Sequence, residues 1–107
     1  DVDVTASDGS TPLLIASSRG NAGIIKALIA GGADVNRKND IGNTPLMLSV
    51  LANEVEPVRI LLDAGADIDL RNNKREQAIN MAELADLTDI MELLRKHKKD
   101  NKLFGIF

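Results

Sequence analysis

The chain has 107 residues, 44% apolar but only 2% aromatic, and a formal net charge of −3. That length holds one small domain or about three short stacked units, packed by small aliphatic side chains because Trp and Tyr are absent. The acidic balance provides no global basic field for nucleic acid or an anionic membrane, and the lack of cysteine excludes a disulfide framework and thiolate chemistry while suiting a reducing compartment.

In chain order, Asp1-Val2-Asp3 matches Asp34-Val35-Asn36 and Asp67-Ile68-Asp69 at a spacing of 33. Residues 1–5 therefore read as the tail of a preceding unit, and the chain as part of a longer array. Residues 6–38 form the first complete unit. Thr11 is a good N-cap and Pro12 suits the first helical position, where a missing N–H costs nothing. Leu13, Ala16 and Ser17 follow at helical spacing. The run Leu13-Leu14-Ile15 is more apolar than a solvent-facing end of a stack should be. Gly20 ends this short helix in a left-handed conformation, and a second helix is expected over Ala22 to Ala30, carrying Ile24, Ile25, Leu28 and Ile29. Gly32 closes it, and Ala33-Asp34-Val35 leads into a polar finger built as a turn or hairpin.

Residues 39–71 repeat the pattern with Gly42, Thr44-Pro45-Leu46, a second helix from Val55 to Ala64, and Gly65. Pro57 falls in the first turn of that helix, where it is tolerated. Asn53 stands where Gly20 stood, and Asp86 stands there in the next unit; these residue types accept a left-handed backbone better than most. Residues 72–100 are a degenerate capping unit, with Arg75 at the turn glycine and Gln77-Ala78-Ile79 in place of Thr-Pro-Leu. Its last helix, from Thr88 to about Lys99, enters Arg95-Lys96-His97-Lys98-Lys99. That run reads as a solvated helix end complementing the dipole, ahead of an anion or nucleic-acid contact, because no aromatics are interleaved with it. The apolar tail, residues 101–107, holds both phenylalanines. It reads as packing back on the last helix; the alternatives are the start of a following segment or a ligand for a neighbour's groove.

Catalytic chemistry finds no support. The one histidine, His97, lies in the cationic run, no convergent ligand set for a metal is apparent, and Gly31-Gly32 follows a helix instead of opening one. No charged-then-apolar leader is present, and no apolar run approaches the roughly 18 residues of a membrane span. The expectation is a non-enzyme without cofactor or metal.

Thr-Pro-Leu recurring at 33 residues, with Gly-Ala-Asp-Val and Gly-Ala-Asp-Ile closing the units, resembles the ankyrin-repeat family over nearly the whole chain. The resemblance implies an all-α solenoid of stacked helix-turn-helix units with β-turn or hairpin fingers, a single domain over 1–107. It implies a protein–protein interaction module that binds a peptide or protein surface in the concave groove between finger tips and first helices. The alternative is a structural spacer or intramolecular docking segment of a larger protein, such as an enzyme or channel. The implied partner is another protein or peptide, with no nucleic acid and no membrane; the isolated domain is expected to be monomeric and intracellular, cytoplasmic or nuclear.

Carried over by position, the groove residues are Ser7, Asp8 and Ser10 on the first finger, Asp40, Ile41 and Asn43 on the second, and Asn73, Lys74 and Glu76 on the third. From the first helices come Ser18 and Arg19, Leu51 and Ala52, and Leu84 and Ala85. Ile41 and Leu51 are aliphatic where a solvated surface prefers polar groups, although single exposed aliphatics are ordinary and can fold onto neighbouring units. If Leu84 adjoins them, the groove has an apolar floor edged by Arg19, Asp40, Lys74 and Glu76, which suits a short peptide or helix. The family usually has His after Thr-Pro-Leu, tying neighbouring turns together. Here Leu14, Met47 and Asn80 stand there, which predicts that those ties are missing, that stacking leans on apolar contact, and that stability is modest. Asn36 occupies a position that is hydroxylated in many family members, so modification is a possible role beside bonding the turn backbone; Asp69 holds the matching place in the next unit.

Overall fold

A computed structural model describes the backbone of residues 1–106 and the side-chain surroundings of residues 1–100. Among the described residues six helices form: α1 Pro12–Ser18, α2 Ala22–Ala30, α3 Pro45–Leu51, α4 Val55–Asp63, α5 Ala78–Leu84 and α6 Thr88–Ile106. Their starts follow from the caps. Thr11 Oγ1 accepts the Leu14 N–H at 3.2 Å, and Thr44 Oγ1 accepts that of Met47 at 3.2 Å, each ahead of a proline. In the third unit Gln77 turns its amide away to donate to the Asp69 carbonyl at 3.2 Å. Capping then comes from inside the helix, where Asn80 Oδ1 accepts the Gln77 N–H at 2.8 Å. Pro57 lies buried in the first turn of α4.

Short first helices and longer second helices build two layers. The helices α1, α3 and α5 pack side by side in one, α2, α4 and α6 in the other, and each pair closes on the layer opposite. The shared core holds Leu13, Ile25, Leu46, Met47, Val50, Val58, Leu61, Ala78, Ile90 and Leu94. Burying a side chain of this size stabilises by about 1.5–3 kcal/mol, so the aliphatic layers supply most of the driving force. Two serine hydroxyls, Ser17 on α1 and Ser49 on α3, are enclosed there without a hydrogen-bond partner.

Equivalent backbone positions repeat their conformation. After the first helices, Gly20, Asn53 and Asp86 have φ of 67, 54 and 56°. At the finger tips, Gly9, Gly42 and Arg75 have φ of 80, 84 and 64°. Each finger is a tight loop closed by two backbone bonds: Ala6 N–H to the Ser10 carbonyl (2.8 Å), Asn39 to Asn43 (3.0 Å) and Asn72 to Glu76 (3.0 Å), with the Gly9, Gly42 and Arg75 N–H groups donating back to the Ala6, Asn39 and Asn72 carbonyls. No strand forms among the described residues. Adjacent fingers are joined in register, Asp40 N–H to the Asp8 carbonyl at 3.1 Å and Asn73 N–H to the Ile41 carbonyl at 3.1 Å.

Two expectations about the last helix need correction. The helix α6 does not end near Lys99 but runs to Ile106, since Asp100-Asn101-Lys102-Leu103 contains no proline and no capping glycine to stop it. The cationic run Arg95–Lys99 therefore lies in the middle of α6, where it does not complement the helix end. Instead Arg95 meets Glu83 at 3.4 Å and Lys98 meets Asp69 at 3.7 Å. The packing of the Leu103–Phe107 tail concerns side chains outside the described residues.

Stacking combines apolar contact with polar ties elsewhere. Where the family's His is replaced, Leu14 and Met47 are buried in the core. The polar ties between units have moved to the fingers and loops: Asp34 N–H to Asp3 Oδ1 (3.2 Å), Asp67 N–H to Asn36 Oδ1 (2.8 Å), Lys38 Nζ to the Arg71 carbonyl (2.8 Å) and Asn73 Nδ2 to the Asp40 carbonyl (3.0 Å). Asn36 thus bonds the backbone of the following unit and not its own turn.

Candidate functional site

The second and third fingers are rigid for a local reason. Asn39 Oδ1 accepts the N–H groups of Ile41 (3.2 Å) and Asn43 (3.0 Å), and Asn72 Oδ1 accepts those of Lys74 (2.9 Å) and Glu76 (3.0 Å). A short amide side chain at the finger base thereby reinforces the backbone bonds that close the loop. With both bases fixed, the tips and the ends of α3 and α5 enclose an open concavity of about 630 Å³. It is lined by Ile41, Asn43, Leu51, Asn72, Asn73, Lys74, Glu76, Met81, Leu84 and Ala85.

Eight of the residues carried over from the sequence meet there: Ile41, Asn43, Leu51, Asn73, Lys74, Glu76, Leu84 and Ala85. Ile41, Leu51 and Leu84 are 61%, 58% and 80% exposed, so their aliphatic surface is open to solvent and not folded onto neighbouring units. Asn43 differs from the expected exposed contact in being only 6% exposed, held between its own finger and the next. Ser7, Asp8, Ser10, Ser18, Arg19, Asp40 and Ala52 do not line this concavity. Ser7, Asp8, Ser18, Arg19 and Asp40 are exposed along the first finger, the end of α1 and the second finger tip. Of the expected charged edges, Lys74 and Glu76 border the apolar floor, while Arg19 and Asp40 stand away from it.

Two lining residues were not singled out from the sequence. Asn72 enters because its amide reaches across to the preceding unit, where Nδ2 donates to Asn43 Oδ1 at 3.0 Å and to Glu76 Oε1 at 3.0 Å. Its match with Asn39 at a spacing of 33 was the available signal. Met81 is a core residue, 5% exposed, whose remaining surface contributes to the floor.

On the first finger the Ser10 backbone N–H, 3.0 Å from Asp8 Oδ1, and then the Ser10 hydroxyl hold the Asp8 carboxyl below its ordinary range. Among the described residues no group of three or more His, Cys, Asp or Glu side chains is placed to hold a metal ion, and no helix is long and apolar enough to cross a membrane.

A smaller hollow of about 230 Å³ lies between Ile68, Ile79 and Leu94, with Asp69, Gln77, Arg95 and Lys98 around it. None of the carried-over groove residues lines it.

A family model described as ankyrin repeats, in three copies, matches residues 1–72. No curated protein sequence matches the chain.

Proposed function

Since the chain belongs to the ankyrin-repeat family, whose repeats are generally protein–protein interaction modules, we propose that it binds a peptide or protein surface in the concavity between its second and third fingers. The observation that carries this reading is the convergence of Ile41, Leu51 and Leu84 in one open hollow, each more than half exposed. Clustered exposed aliphatic surface rimmed by polar groups is the usual mark of an interaction site, whereas scattered apolar residues are not. The rim here is polar on the finger side: Asn73, Lys74 and Glu76 stand above the aliphatic floor. Binding to such a surface loses little conformational entropy, because the fingers are already fixed by Asn39 and Asn72. The function is recognition without catalysis, and the expected location is the cell interior.

The double change Ile41→Asp, Leu51→Asp tests this reading. Both side chains are solvent-exposed, so helical circular dichroism and melting temperature are expected to stay near the parent values. Capture of peptides selected on the parent protein should fall at least tenfold, the equivalent of about 1.4 kcal/mol. Undiminished capture by the folded double variant would place the interaction surface elsewhere.

A further inference from the structure

The concavity contains a polar group whose orientation is fixed by a chain of hydrogen bonds. Asn72 Oδ1 accepts two backbone N–H groups, from Lys74 and Glu76, so the oxygen must face its own finger. Its Nδ2 then points across to the second finger and donates to Asn43. Only an oxygen can accept there, so Asn43 must present Oδ1 to Asn72, which leaves its own Nδ2 on the other side. The remaining bonds of Asn43 are backbone ones: its N–H goes to Asn39 Oδ1, and its carbonyl accepts the Asn39 N–H. Nδ2 has no acceptor among the described residues. It is not sealed in either, since the enclosed side-chain atoms without a partner are the Ser17 and Ser49 hydroxyls. Asn43 lines the concavity while more than nine-tenths of its surface is covered. Asn43 Nδ2 is therefore a donor without a partner on a residue that lines the concavity beside Ile41, Leu51 and Leu84.

We infer that Asn43 Nδ2 donates to a free backbone carbonyl of an extended peptide whose neighbouring aliphatic side chain rests on Ile41, Leu51 and Leu84. The Glu76 carboxylate, bonded to Asn72, and the Lys74 ammonium line the same concavity, so their charges offset and the neutral backbone carbonyl is the acceptor that needs no further counter-charge. The interior of a regular helix offers no such acceptor, its carbonyls being engaged along its own axis. An extended or loop segment keeps its carbonyls available, and peptide recognition through main-chain acceptors with side-chain pockets is an established physical mode. This inference rests on the concavity being the binding surface.

The test uses the full chain and linear peptides selected from a random displayed library. For an enriched aliphatic peptide, Asn43→Asp keeps an oxygen toward Asn72 and replaces the donor by an acceptor. Affinity is expected to fall about tenfold or more, as for loss of a buried hydrogen bond with an unpaired acceptor left behind. Replacing successive amide bonds of the peptide by esters, whose carbonyls accept more weakly, should weaken binding to the parent at one position and leave Asn43→Asp indifferent there. If Asn43→Asp melts well below the parent, the Asn43 side-chain amide resonances of the parent chain become the readout, and a downfield shift on titrating the peptide is expected. Equal affinity for the parent and a folded Asn43→Asp, or unmoved Asn43 resonances, overturns the donor role while leaving the groove in place. Enrichment of helical peptides or of C-terminal carboxylates also overturns it. Peptide binding that ignores Ile41→Asp, Leu51→Asp, or no enrichment at all, removes the groove and the donor together.

Discussion

The seam between the first and second units and the seam between the second and third share one geometry and differ in chemistry. Each is closed by the same finger-to-finger backbone bond at 3.1 Å, and the first adds loop ties from Asp67 to Asn36 and from Lys38 to Arg71. The second seam adds side-chain ties from Asn72 to Asn43 and from Asn73 to Asp40 at the fingers, and an ion pair between Lys98 and Asp69. Its concave side carries Ile41, Leu51 and Leu84, whereas the matching positions of the first carry Asp8, Ser18 and Leu51, only one of them aliphatic. The seam with the greater exposed aliphatic surface is thus also the one whose fingers are tied together by asparagine side chains. Exposed aliphatics gain from burial by a partner only if the surface beneath them does not rearrange, and the extra ties hold that surface in place.

The largest effect is expected from breaking the second seam at its backbone. Gly42 has φ 84°, and a Cβ there would lie 2.7 Å from the Asn73 backbone nitrogen, an atom held by the finger bond and unable to move aside cheaply. Gly42→Ala should destabilise by about 2–4 kcal/mol, read from denaturant unfolding followed by circular dichroism. Gly9→Ala makes the same left-handed demand at the first seam, but its closest clash is with the Asp40 side chain, which can rotate away. Its cost should be about 1–2 kcal/mol. Equal costs would show that the two seams do not differ in rigidity.

A smaller effect isolates the side-chain tie. Asn39 and Asn72 each hold their own finger through Oδ1, but only the Asn72 amide donates across to the preceding unit. Asn72→Ala should therefore cost about 0.5–1.5 kcal/mol more than Asn39→Ala in the same unfolding experiment.

The smallest effect belongs to the first finger. The Asp8 carboxyl is held below its ordinary value of 3.8 by the Ser10 N–H and hydroxyl. A folded-state pKa below the unfolded one adds stability above the unfolded pKa, and that contribution disappears as pH falls through the folded pKa. Full exposure makes it minor. An NMR titration should show Asp8 protonating below pH 3.8, and Ser10→Ala should raise its midpoint by removing the hydroxyl while keeping the N–H.

Much of the fold was legible because a 33-residue period ties each local signal to its copies. Thr11 and Thr44 cap as expected, and Gly20, Asn53 and Asp86 share one conformation that a single instance would not have established. The end of α6 was misjudged because a cationic run resembles a helix terminus, while the residues after it contain nothing that stops a helix. The groove was legible by position but not by occupancy. Position in the repeat does not say which of the carried-over residues share a hollow, and it presented Asn43 as a contact like its neighbours.

The sequence alone determined what is local and periodic: where helices start, where the backbone must turn left-handed, and which flanks are apolar. Those follow from φ/ψ preferences, capping and helical spacing, which act within a few residues. The tertiary structure decided what depends on residues about 30 apart in the chain meeting in space. Asn36 reaches the next unit's backbone, Asn72 locks the amide of Asn43, and Ile41, Leu51 and Leu84 share one floor. Hydrogen-bond partners and shared exposure are set by the distance between units, and that distance exists only once the layers have stacked.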